Sequence, residues 1–432
     1  MAVRDFGGSD TGVVIHYHDV FSRTVEELSL EKFDDKLHEI EKRASHIRKL
    51  SMEEMIQALY TLYQAWAIPS HPMHQRYRNA GLAYLLTFLH PESLRKLLSK
   101  GLRRDSAMDC ISGAGGFEGI AVPRGVVGHW VAGNVPLLSL ISVLQALLTK
   151  NASIVKLSTK QEDWITPFLH SLAHTCKAGQ VMAEAVLVFS FPGEWKDPSA
   201  AMAGYCDVRI AWGGLEAVRS VAEMKGKEES TSLIFGPKYS CSVIDPVLMS
   251  DKDWVNLARD TVLFQQLACT SPHAVISKGG VSGIKETVSR LALAYSTIVH
   301  QRYYEPLEAG EAVKLLEYRA AAWMNGESIT ASNGTEWTIH AHKRLEQLSG
   351  QGMRIIHVYP CEDWRELVSC LPSTIQTISH RLDQQSLEEL VYTSKYSGVS
   401  RFVHVGEAHT YDIPWDGMLV LDQLIRWIRV DC

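Results

Sequence analysis

The chain changes from a helical to an extended pattern within Leu263-Phe264-Gln265-Gln266-Leu267-Ala268-Cys269-Thr270-Ser271-Pro272. Before this stretch, apolar residues recur at helical spacing, and Ser250 and Asp253 have the spacing of a capping box. After it, residues 273–276 have the composition of a strand. A thiol at such a junction, Cys269, can lie near unpaired backbone N–H groups, which favour the thiolate and can bind an oxyanion. The alternative is a buried and unreactive cysteine, which this stretch taken alone favours.

The composition is that of a globular protein with two or three domains. The chain has 432 residues and a net charge of −6 without a basic block, which argues against partners such as nucleic acid or a membrane surface. Its eight cysteines have no CxxC spacing, so we expect free thiols of a reducing compartment and neither disulfides nor a metal site. The first residues contain no apolar signal-peptide core, so a cytoplasmic location is expected.

Residues 125–149 contain no Asp, Glu, Lys or Arg and are long enough for a membrane span. Gly133, Asn134 and Pro136 interrupt them, and the two pieces differ in pattern. We therefore predict a buried strand followed by a buried helix with proline in its first turn, and no membrane span.

Strand and helix patterns alternate in two regions, which predicts parallel strands joined by crossover helices, an open α/β sheet. In the first region we expect strands at 126–131, 154–157, 185–191 and 207–211, and helices near 136–149, 163–177 and 214–224. In the second region we expect strands at 273–277, 354–359, 374–378 and 401–405, and helices near 282–299, 363–370 and 386–396. Residues 1–110 are predicted to be mainly helical, and a linker is expected around 236–246.

Ligands of open α/β sheets bind beyond the carboxyl ends of the strands, so the loops after the first region's strands are candidates for a site. These loops are residues 132–135, 158–160, 192–194 and 212–214. Gly-bearing turns into helices allow a phosphate to approach the backbone. The GxGxxG motif is absent, however, and Gly213-Gly214 on their own are more often a tight strand-to-helix turn.

Five segments in order resemble the landmarks of the aldehyde dehydrogenase superfamily. They are 123–127 (Pro-Arg-Gly-Val-Val), 132–136 (Ala-Gly-Asn-Val-Pro), 151–158 (Asn-Ala-Ser-Ile-Val-Lys-Leu-Ser), 213–214 (Gly-Gly) and 265–269 (Gln-Gln-Leu-Ala-Cys). The residues in these segments are similar to those of the long-chain acyl-CoA reductase of bacterial bioluminescence and its relatives. Residues 398–401 (Gly-Val-Ser-Arg) and 415–417 (Trp-Asp-Gly) fit the same branch. The resemblance covers roughly residues 120–420.

The resemblance implies an aldehyde dehydrogenase-like α/β fold with two lobes and a helical N-terminal region. The expected parts are a helical region at 1–120 that packs on the cofactor lobe, a Rossmann-like nicotinamide lobe at 121–240, a catalytic lobe at 241–405 and a C-terminal segment at 406–432. Because loops from both lobes must converge on a shared site, we expect the reaction in a cleft between them.

The resemblance also assigns roles to single residues. Cys269 matches the thiol that forms a covalent acyl-enzyme. Asn134 matches the side-chain donor that holds the oxyanion together with the Cys269 backbone N–H, although a residue that caps the following helix would have the same geometry. Lys156 and Ser158 match positions that meet the adenosine ribose and phosphate of the cofactor. Gly213 and Gly214 match the turn below the pyrophosphate.

Ile234 is the first departure from the family pattern. Aldehyde-oxidising members carry a Glu in a Glu-Leu-Gly-Gly-Lys segment, where this chain has Ile-Phe-Gly-Pro-Lys at 234–238. An alkyl group cannot accept a proton, so general-base assistance to hydrolysis, worth roughly 10²- to 10⁴-fold, is missing. The acyl-enzyme should therefore persist, which favours reduction of a thioester over formation of an acid.

The second departure concerns the cofactor. Many NAD-preferring members follow the Lys-Pro-Ser segment with a Glu that accepts the ribose 2′-OH, whereas Thr159 and Lys160 follow Ser158 here. A 2′-phosphate is then not repelled, and Lys160 can pair with it. We expect NADPH, with NADH also accepted.

The sequence therefore predicts an NADPH-dependent reductase that converts an acyl thioester, carried by CoA or acyl carrier protein and in this branch long-chain, to the aldehyde. A reductase of acyl phosphates and a non-catalytic scaffold subunit of a multienzyme complex are the alternatives. A homo-oligomer and an acyl-transferring partner enzyme are expected. Chain length and the identity of the acyl carrier do not follow from the sequence.

Overall fold

The computed structural model describes residues 14–114, 117–131, 133, 135–159, 162–299, 304, 306–349 and 354–431. The strands in chain order are β1 (Ile15–His18), β2 (Val25–Leu28), β3 (Ser112–Ala114), β4 (Phe117–Pro123), β5 (Val126–Trp130), β6 (Ala152–Leu157), β7 (Val186–Ser190), β8 (Val208–Trp212), β9 (Thr231–Phe235), β10 (Tyr239–Ile244), β11 (Pro272–Lys278), β12 (Ser328–Ala331), β13 (Thr338–Ala341), β14 (Ile355–Cys361), β15 (Ile375–Arg381), β16 (Arg401–His404) and β17 (Ile425–Val430).

The helices in chain order are α1 (Leu30–Ile47), α2 (Met52–Ala67), α3 (Pro72–Tyr77), α4 (Leu82–Leu89), α5 (Pro91–Leu102), α6 (Pro136–Leu148), α7 (Ile165–Ala173), α8 (Lys177–Glu184), α9 (Lys196–Tyr205), α10 (Leu215–Glu223), α11 (Asp251–Val262), α12 (Gly280–Val299), α13 (Ala309–Met324), α14 (Trp364–Cys370), α15 (Gln384–Ser394) and α16 (Val420–Gln423). A 3₁₀ turn, Pro246–Leu248, precedes α11, and a turn that contains left-handed backbone, Leu263–Gln266, follows it.

Contacts divide the described residues into two compact units. The first lies within Met1–Ala65, Leu89–Gly236 and Val420–Cys432, and the second within Trp66–Phe88 and Pro237–Leu419. Each unit is built around a sheet of seven strands, and β17, β4 and β3 form a further antiparallel sheet in the first unit.

The sheet of the first unit has the order β2-β1-β7-β6-β5-β8-β9, and its strands from β7 to β9 are parallel. Counted along the chain, these parallel strands lie in the order third, second, first, fourth, fifth. The order reverses between β5 and β8, which is where a doubly wound sheet opens a crevice at its carboxyl edge. The predicted alternation of strands and helices is confirmed in this unit. The helix predicted at 163–177 corresponds to α7, whereas α8 and α9 were not predicted.

The N-terminal region is mainly helical, as expected, and also contributes two short strands. β1 pairs antiparallel with β7 and with β2, so both extend the first sheet. In β1 the side chains of Ile15 and Tyr17 are buried and alternate with His16 and His18. A four-residue strand in which every second residue is histidine has too weak an apolar pattern to be recognised from sequence.

The uncharged stretch 125–149 forms β5 and α6, and α6 is a buried helix with Pro136 in its first turn. This confirms the predicted strand and helix. None of the helices in the described residues combines the length and the apolar character needed to cross a membrane.

The sheet of the second unit has the order β12-β13-β14-β11-β10-β15-β16 and is parallel except for β12 at its edge. The predicted linker at 236–246 is wrong for residues 239–244. The boundary between the units falls after Gly236, but β10 is a fully buried strand between β11 and β15. Its serines made the segment look polar, although the Ser242 hydroxyl is satisfied inside the sheet by Ser379 at 2.6 Å.

Candidate active site

The nucleophile candidate follows a strained turn. α11 begins with the predicted capping box, in which the side chains and backbone N–H groups of Ser250 and Asp253 bond reciprocally. After α11, Phe264, Gln265 and Gln266 have φ angles of 55°, 55° and 61°. Left-handed backbone at a residue other than glycine costs about 1–3 kcal/mol, so surrounding contacts must hold these three in place.

The two glutamine side chains provide those contacts. The Gln266 amide Nε2 donates to the backbone oxygens of Pro272 at 3.1 Å and Ile355 at 2.9 Å. Gln265 Oε1 accepts from Arg354 Nη2 at 2.6 Å. The Gln-Gln pair that marks the family therefore fixes the turn to the first residues of β11 and β14.

Cys269 lies in the short loop between this turn and β11. The Ser240 hydroxyl donates to the Cys269 carbonyl oxygen at 2.6 Å. On the other side, Thr270 Oγ1 is 2.8 Å from His409 Nδ1, and His409 Nε2 is 2.9 Å from the Asp260 carbonyl oxygen. A carbonyl can only accept, so Nε2 carries the hydrogen and Thr270 donates to Nδ1. Burial lowers the pKa of His409 to about 4, so this imidazole is a neutral positioning group.

The electrostatics of Cys269 favour a thiol in the resting protein. The Cys269 side chain is partly exposed, and the protein packed around it raises its pKa to about 12. The Asp416 carboxylate raises the pKa as well, whereas Arg401 and a hydrogen bond from Gln376 oppose it. The expectation that this junction favours the thiolate is therefore wrong for the protein without substrate, because burial outweighs the favourable dipoles.

Gln376, Arg401 and Asp416 form one polar cluster with the thiol. Gln376 Nε2 donates to Asp416 Oδ1. Arg401 Nη2 donates to the Thr410 carbonyl at 2.9 Å, and its guanidinium lies 4.6 Å from the centre of the Trp415 ring. Burial raises the pKa of Asp416, an effect opposed by Gln376, Lys238 and Arg401.

Sequence reasoning noted 398–401 and 415–417 only as family landmarks and assigned no role to this cluster. It missed Ser240, Gln376 and His409 altogether. The available signal was the strand pattern: Ser240, Gln376 and Arg401 all lie in the first two residues of parallel strands, and Cys269 lies shortly before β11. Parallel strands begin at the same edge of a sheet, so these residues meet at the amino edge of the second sheet.

The predicted cofactor residues gather at the carboxyl edge of the first sheet. A Cβ on Gly133 would lie 2.9 Å from Ser158 Oγ, so glycine allows the loop after β5 to approach the loop after β6. A Cβ on Gly193 would be 4.0 Å from Lys156 Nζ, which brings the loop after β7 to the same place. Burial lowers the pKa of Lys156, against the opposing effect of Glu194. Ser158 therefore lies beside the loop after β5, and Lys156 beside the loop after β7.

Gly213 and Gly214 form the turn between β8 and α10. Gly213 has a φ of 149°, which favours glycine, and Gly214 is the N-cap of α10. No side chain of the described residues caps this helix, so its first backbone N–H groups are suited to an anion. Thr159 is exposed after Ser158. The predicted oxyanion donor Asn134 and the predicted phosphate partner Lys160 lie outside the described residues.

Replacing Asp416 by asparagine tests the charge balance around Cys269. We expect Asp416→Asn to lower the pKa of Cys269, because removal of a nearby negative charge stabilises the thiolate. The amide oxygen can still accept from Gln376, so the geometry should be kept. Iodoacetamide labelling of Cys269, followed by peptide mass spectrometry between about pH 6 and 10, should become severalfold faster near neutrality.

The matched control is Glu388→Gln, which removes a charge from the exposed side of α15 and should leave the labelling profile unchanged. Peptide-level detection is needed because Cys110 and Cys176 are exposed thiols. An identical pH profile for Asp416→Asn and the parent protein would contradict the assigned role of Asp416.

Comparisons with known proteins agree on fold and family. A long-chain acyl-protein thioester reductase of Aliivibrio fischeri is 24% identical over 407 residues, which cover 88% of this chain and 82% of that protein. Among solved structures, aldehyde dehydrogenase 21 from Physcomitrella patens, determined with succinate, has a TM-score of 0.68 at 10% identity and covers 98% of this chain and 95% of its own.

A NAD-dependent benzaldehyde dehydrogenase from Corynebacterium glutamicum has a TM-score of 0.61 at 13% identity, over 98% of this chain and 95% of its own. These likenesses confirm the predicted aldehyde dehydrogenase-like fold. The family model described as acyl-CoA reductase (LuxC) matches residues 47–427. The chain is therefore a member of the acyl-CoA reductase (LuxC) family, an oxidoreductase of aldehyde groups built on the aldehyde dehydrogenase fold.

Proposed function

We propose that this protein reduces an acyl thioester to the aldehyde through a covalent acyl-Cys269 intermediate, with NADPH as the hydride donor. The observation that carries the proposal is the Cys269 loop. Three residues in left-handed backbone, the buried Gln266 amide with its two hydrogen bonds, and the Ser240 hydroxyl hold the loop that carries this thiol in position. The Aliivibrio fischeri relative, named for long-chain acyl groups on a protein, supports a long-chain acyl donor on CoA or a carrier protein.

In the acylation step the Cys269 sulfur bonds to the acyl carbon, and the bond from that carbon to the sulfur of the donor breaks. The proton lost by Cys269 ends on the departing thiolate. Because the resting thiol is protonated, it has to lose its proton as the new bond forms. By resemblance, the Asn134 side chain and the Cys269 backbone N–H bind the oxyanion, and one such donor is worth about 3 kcal/mol.

A nicotinamide cofactor suits the carboxyl edge of the first sheet. The strand order opens a crevice between β5 and β8, Gly133 leaves the space that a side chain would fill, and the N-terminus of α10 suits a pyrophosphate. Lys156 and Ser158 would hold the adenosine ribose. When bound, the cofactor would supply a hydride for the acyl carbon. The bond between that carbon and the Cys269 sulfur would then break, and the sulfur would take up a proton from solvent.

We expect Cys269→Ala to abolish acyl-enzyme formation and aldehyde release while leaving the fold and NADPH binding intact. The chain then has no nucleophile at the end of the strained turn. Mass spectrometry of the protein after incubation with acyl-CoA measures the covalent adduct. Cys370→Ala is the matched control, because Cys370 is a partly exposed free thiol on α14 and should be replaceable.

The same experiment separates the alternatives. Covalent labelling of the parent protein by acyl phosphate but not by acyl-CoA would favour the acyl-phosphate reductase. Absence of labelling by both donors would favour a non-catalytic subunit. An adduct on the Cys269→Ala protein would show that another thiol is the nucleophile.

The proposed preference for NADPH depends on the charges that follow Ser158. Thr159 and Lys160 bring no carboxylate, but Glu162 and Asp163 line the same small cavity as Ser158. Asp163 is committed to the first turn of α7, where its carboxylate accepts from the backbone N–H groups of Ile165 and Thr166 at 2.8 and 3.0 Å. Glu162 lines this cavity too, and its carboxylate would oppose a 2′-phosphate and so admit NADH as a second cofactor.

We expect kcat/KM to be higher with NADPH than with NADH, mainly through KM, because the 2′-phosphate adds contacts away from the hydride. Thr159→Glu and Lys160→Ala should shift the ratio towards NADH, and Glu162→Gln should shift it further towards NADPH. Initial rates with both cofactors measure this ratio. Equal values for the parent protein would contradict the proposed preference.

Ile234 supports reduction over hydrolysis. It lies on β9 opposite Ala211, and it points to the other face of the sheet from the buried Leu233 and Phe235. By resemblance this position carries the carboxylate that activates water in aldehyde-oxidising enzymes. Without it, acyl-Cys269 should last long enough for reduction.

Installing the missing carboxylate should change the product. In Ile234→Glu, we expect release of fatty acid from the acyl-enzyme to increase relative to aldehyde, by up to roughly 10²-fold if the carboxylate acts as a general base. Ile234→Gln is the matched control, since it adds a polar group of the same size that cannot accept the proton. Products from labelled acyl-CoA are separated with and without NADPH, after circular dichroism has shown that both variants fold.

Rapid acid release by the parent protein, at the rate of aldehyde formation, would show that another residue supplies the base.

We also propose a cytoplasmic enzyme, since its thiols suit a reducing compartment, and a homo-oligomer that receives acyl groups from a transferase partner.

A further inference from the structure

Three histidines converge at the edge of the second sheet, in a cluster that contains none of the residues around Cys269. His340 lies on β13 and is paired in register with His357 on β14. His342 directly follows β13 and continues the ladder, since its N–H donates to the Val358 carbonyl at 2.8 Å. Residues two apart in a strand share a face, so the three imidazoles lie together. Each offers a ligand atom within 4.8 Å of the other two.

The opposite face of the same strands forms an ordinary apolar core. Ile339, Ile356 and Val358 pack there with apolar residues of α11 and α12. The face with the histidines is different, because three imidazoles carry polar nitrogens that an apolar core of aliphatic side chains does not contain. Both His340 and His357 are buried, with 6% and 5% of their surface exposed. Buried polar rings need partners, and the arrangement of those partners points to a ligand.

His357 lacks one such partner. Its Nε2 is buried and has no hydrogen bond within the described part of the chain. Its Nδ1 lies 2.9 Å from His342 Nε2, so two ring nitrogens face each other directly. A ring nitrogen that carries no hydrogen presents a lone pair, the form in which histidine binds metals.

His340 already has the surroundings of a metal ligand. Its Nδ1 is 2.6 Å from the Tyr318 hydroxyl, and its Nε2 is 3.3 Å from a Glu327 carboxylate oxygen. Metal-binding histidines typically use their second nitrogen for a hydrogen bond that orients the ring, as Tyr318 would do here. The Glu327 side chain is 41% exposed, so an ion can enter from solvent and find a carboxylate beside the histidines.

We propose that His340, His342 and His357 bind one divalent transition-metal ion, with Glu327 as the fourth ligand. Zinc fits this set best, because three imidazoles and one carboxylate match its preferred ligands and its four-coordinate geometry. The ion would join the segment between α13 and β12, which carries Glu327, to β13 and β14. The expected role is to stabilise this edge of the sheet, and thioester reduction at Cys269 does not require it.

Zinc titration tests the proposal. The full-length protein is purified, stripped with a chelator and titrated with ZnCl₂ in a calorimeter, in a Cys269→Ala background that removes the reactive thiol as a competing ligand. We expect one equivalent to bind and the Tm to rise with zinc concentration, as ligand linkage requires. His342→Ala should abolish this equivalent, and Glu327→Gln should weaken it by about tenfold or more.

His404→Ala is the matched control. His404 lies beside His380 in the same sheet, with ring centres 4.9 Å apart, but that pair belongs to no three-residue cluster among the described residues. This variant should bind zinc like its parent. Because His342 is only partly buried, its replacement should be tolerated, and circular dichroism verifies the fold.

Cobalt provides a second readout that identifies the ligands. Co²⁺ at this site should give the visible absorption of a four-coordinate ion without a sulfur-to-cobalt charge-transfer band. A protein that binds no zinc at micromolar concentrations would overturn the proposal. So would unchanged zinc binding in His342→Ala, or a cobalt spectrum with sulfur ligands.

Discussion

The hydrogen bonds of the buried Gln266 amide are the interaction on which the position of the proposed nucleophile, Cys269, depends. These two hydrogen bonds, to the carbonyls of Pro272 and Ile355, join the turn after α11 to two adjacent strands. Three consecutive left-handed residues would otherwise relax towards helical or extended backbone. The direction of the Cys269 loop is therefore set by a side chain three residues away, and the sheet beneath it serves as the rigid support.

The elements predicted from sequence are those whose signal is local. The capping box at Ser250 and the alternating strands and helices of both units follow from spacing alone, and the structure has them within a few residues. β10 was mistaken for a linker because a central strand that contains serines lacks a continuous apolar run. The deciding information is long-range: Ser242 is satisfied by Ser379, which is 137 positions away.

In the candidate active site, too, local signals could be recognised from the sequence and long-range contacts could not. Cys269 could be singled out from its flanking residues and the order of the landmarks, whereas Asp416 and His409 act on it from more than 130 positions further along the chain. No spacing rule connects such residues. The two units also place their candidate residues at opposite ends of the parallel strands. The candidate cofactor residues lie at the carboxyl edge of the first sheet, and the cluster around Cys269 lies at the amino edge of the second. Only the first sheet follows the rule that ligands of open α/β sheets bind beyond the carboxyl ends of the strands.

The raised pKa of Cys269 also bears on how this residue would react with peroxide. Oxidation to a sulfenic acid proceeds from the thiolate, and a cysteine with a pKa of about 12 is almost entirely protonated at neutral pH. Exposed thiols such as Cys110 and Cys176 would then meet the oxidant more readily than Cys269. The same burial that opposes ionisation of Cys269 would thereby protect the proposed nucleophile from oxidation.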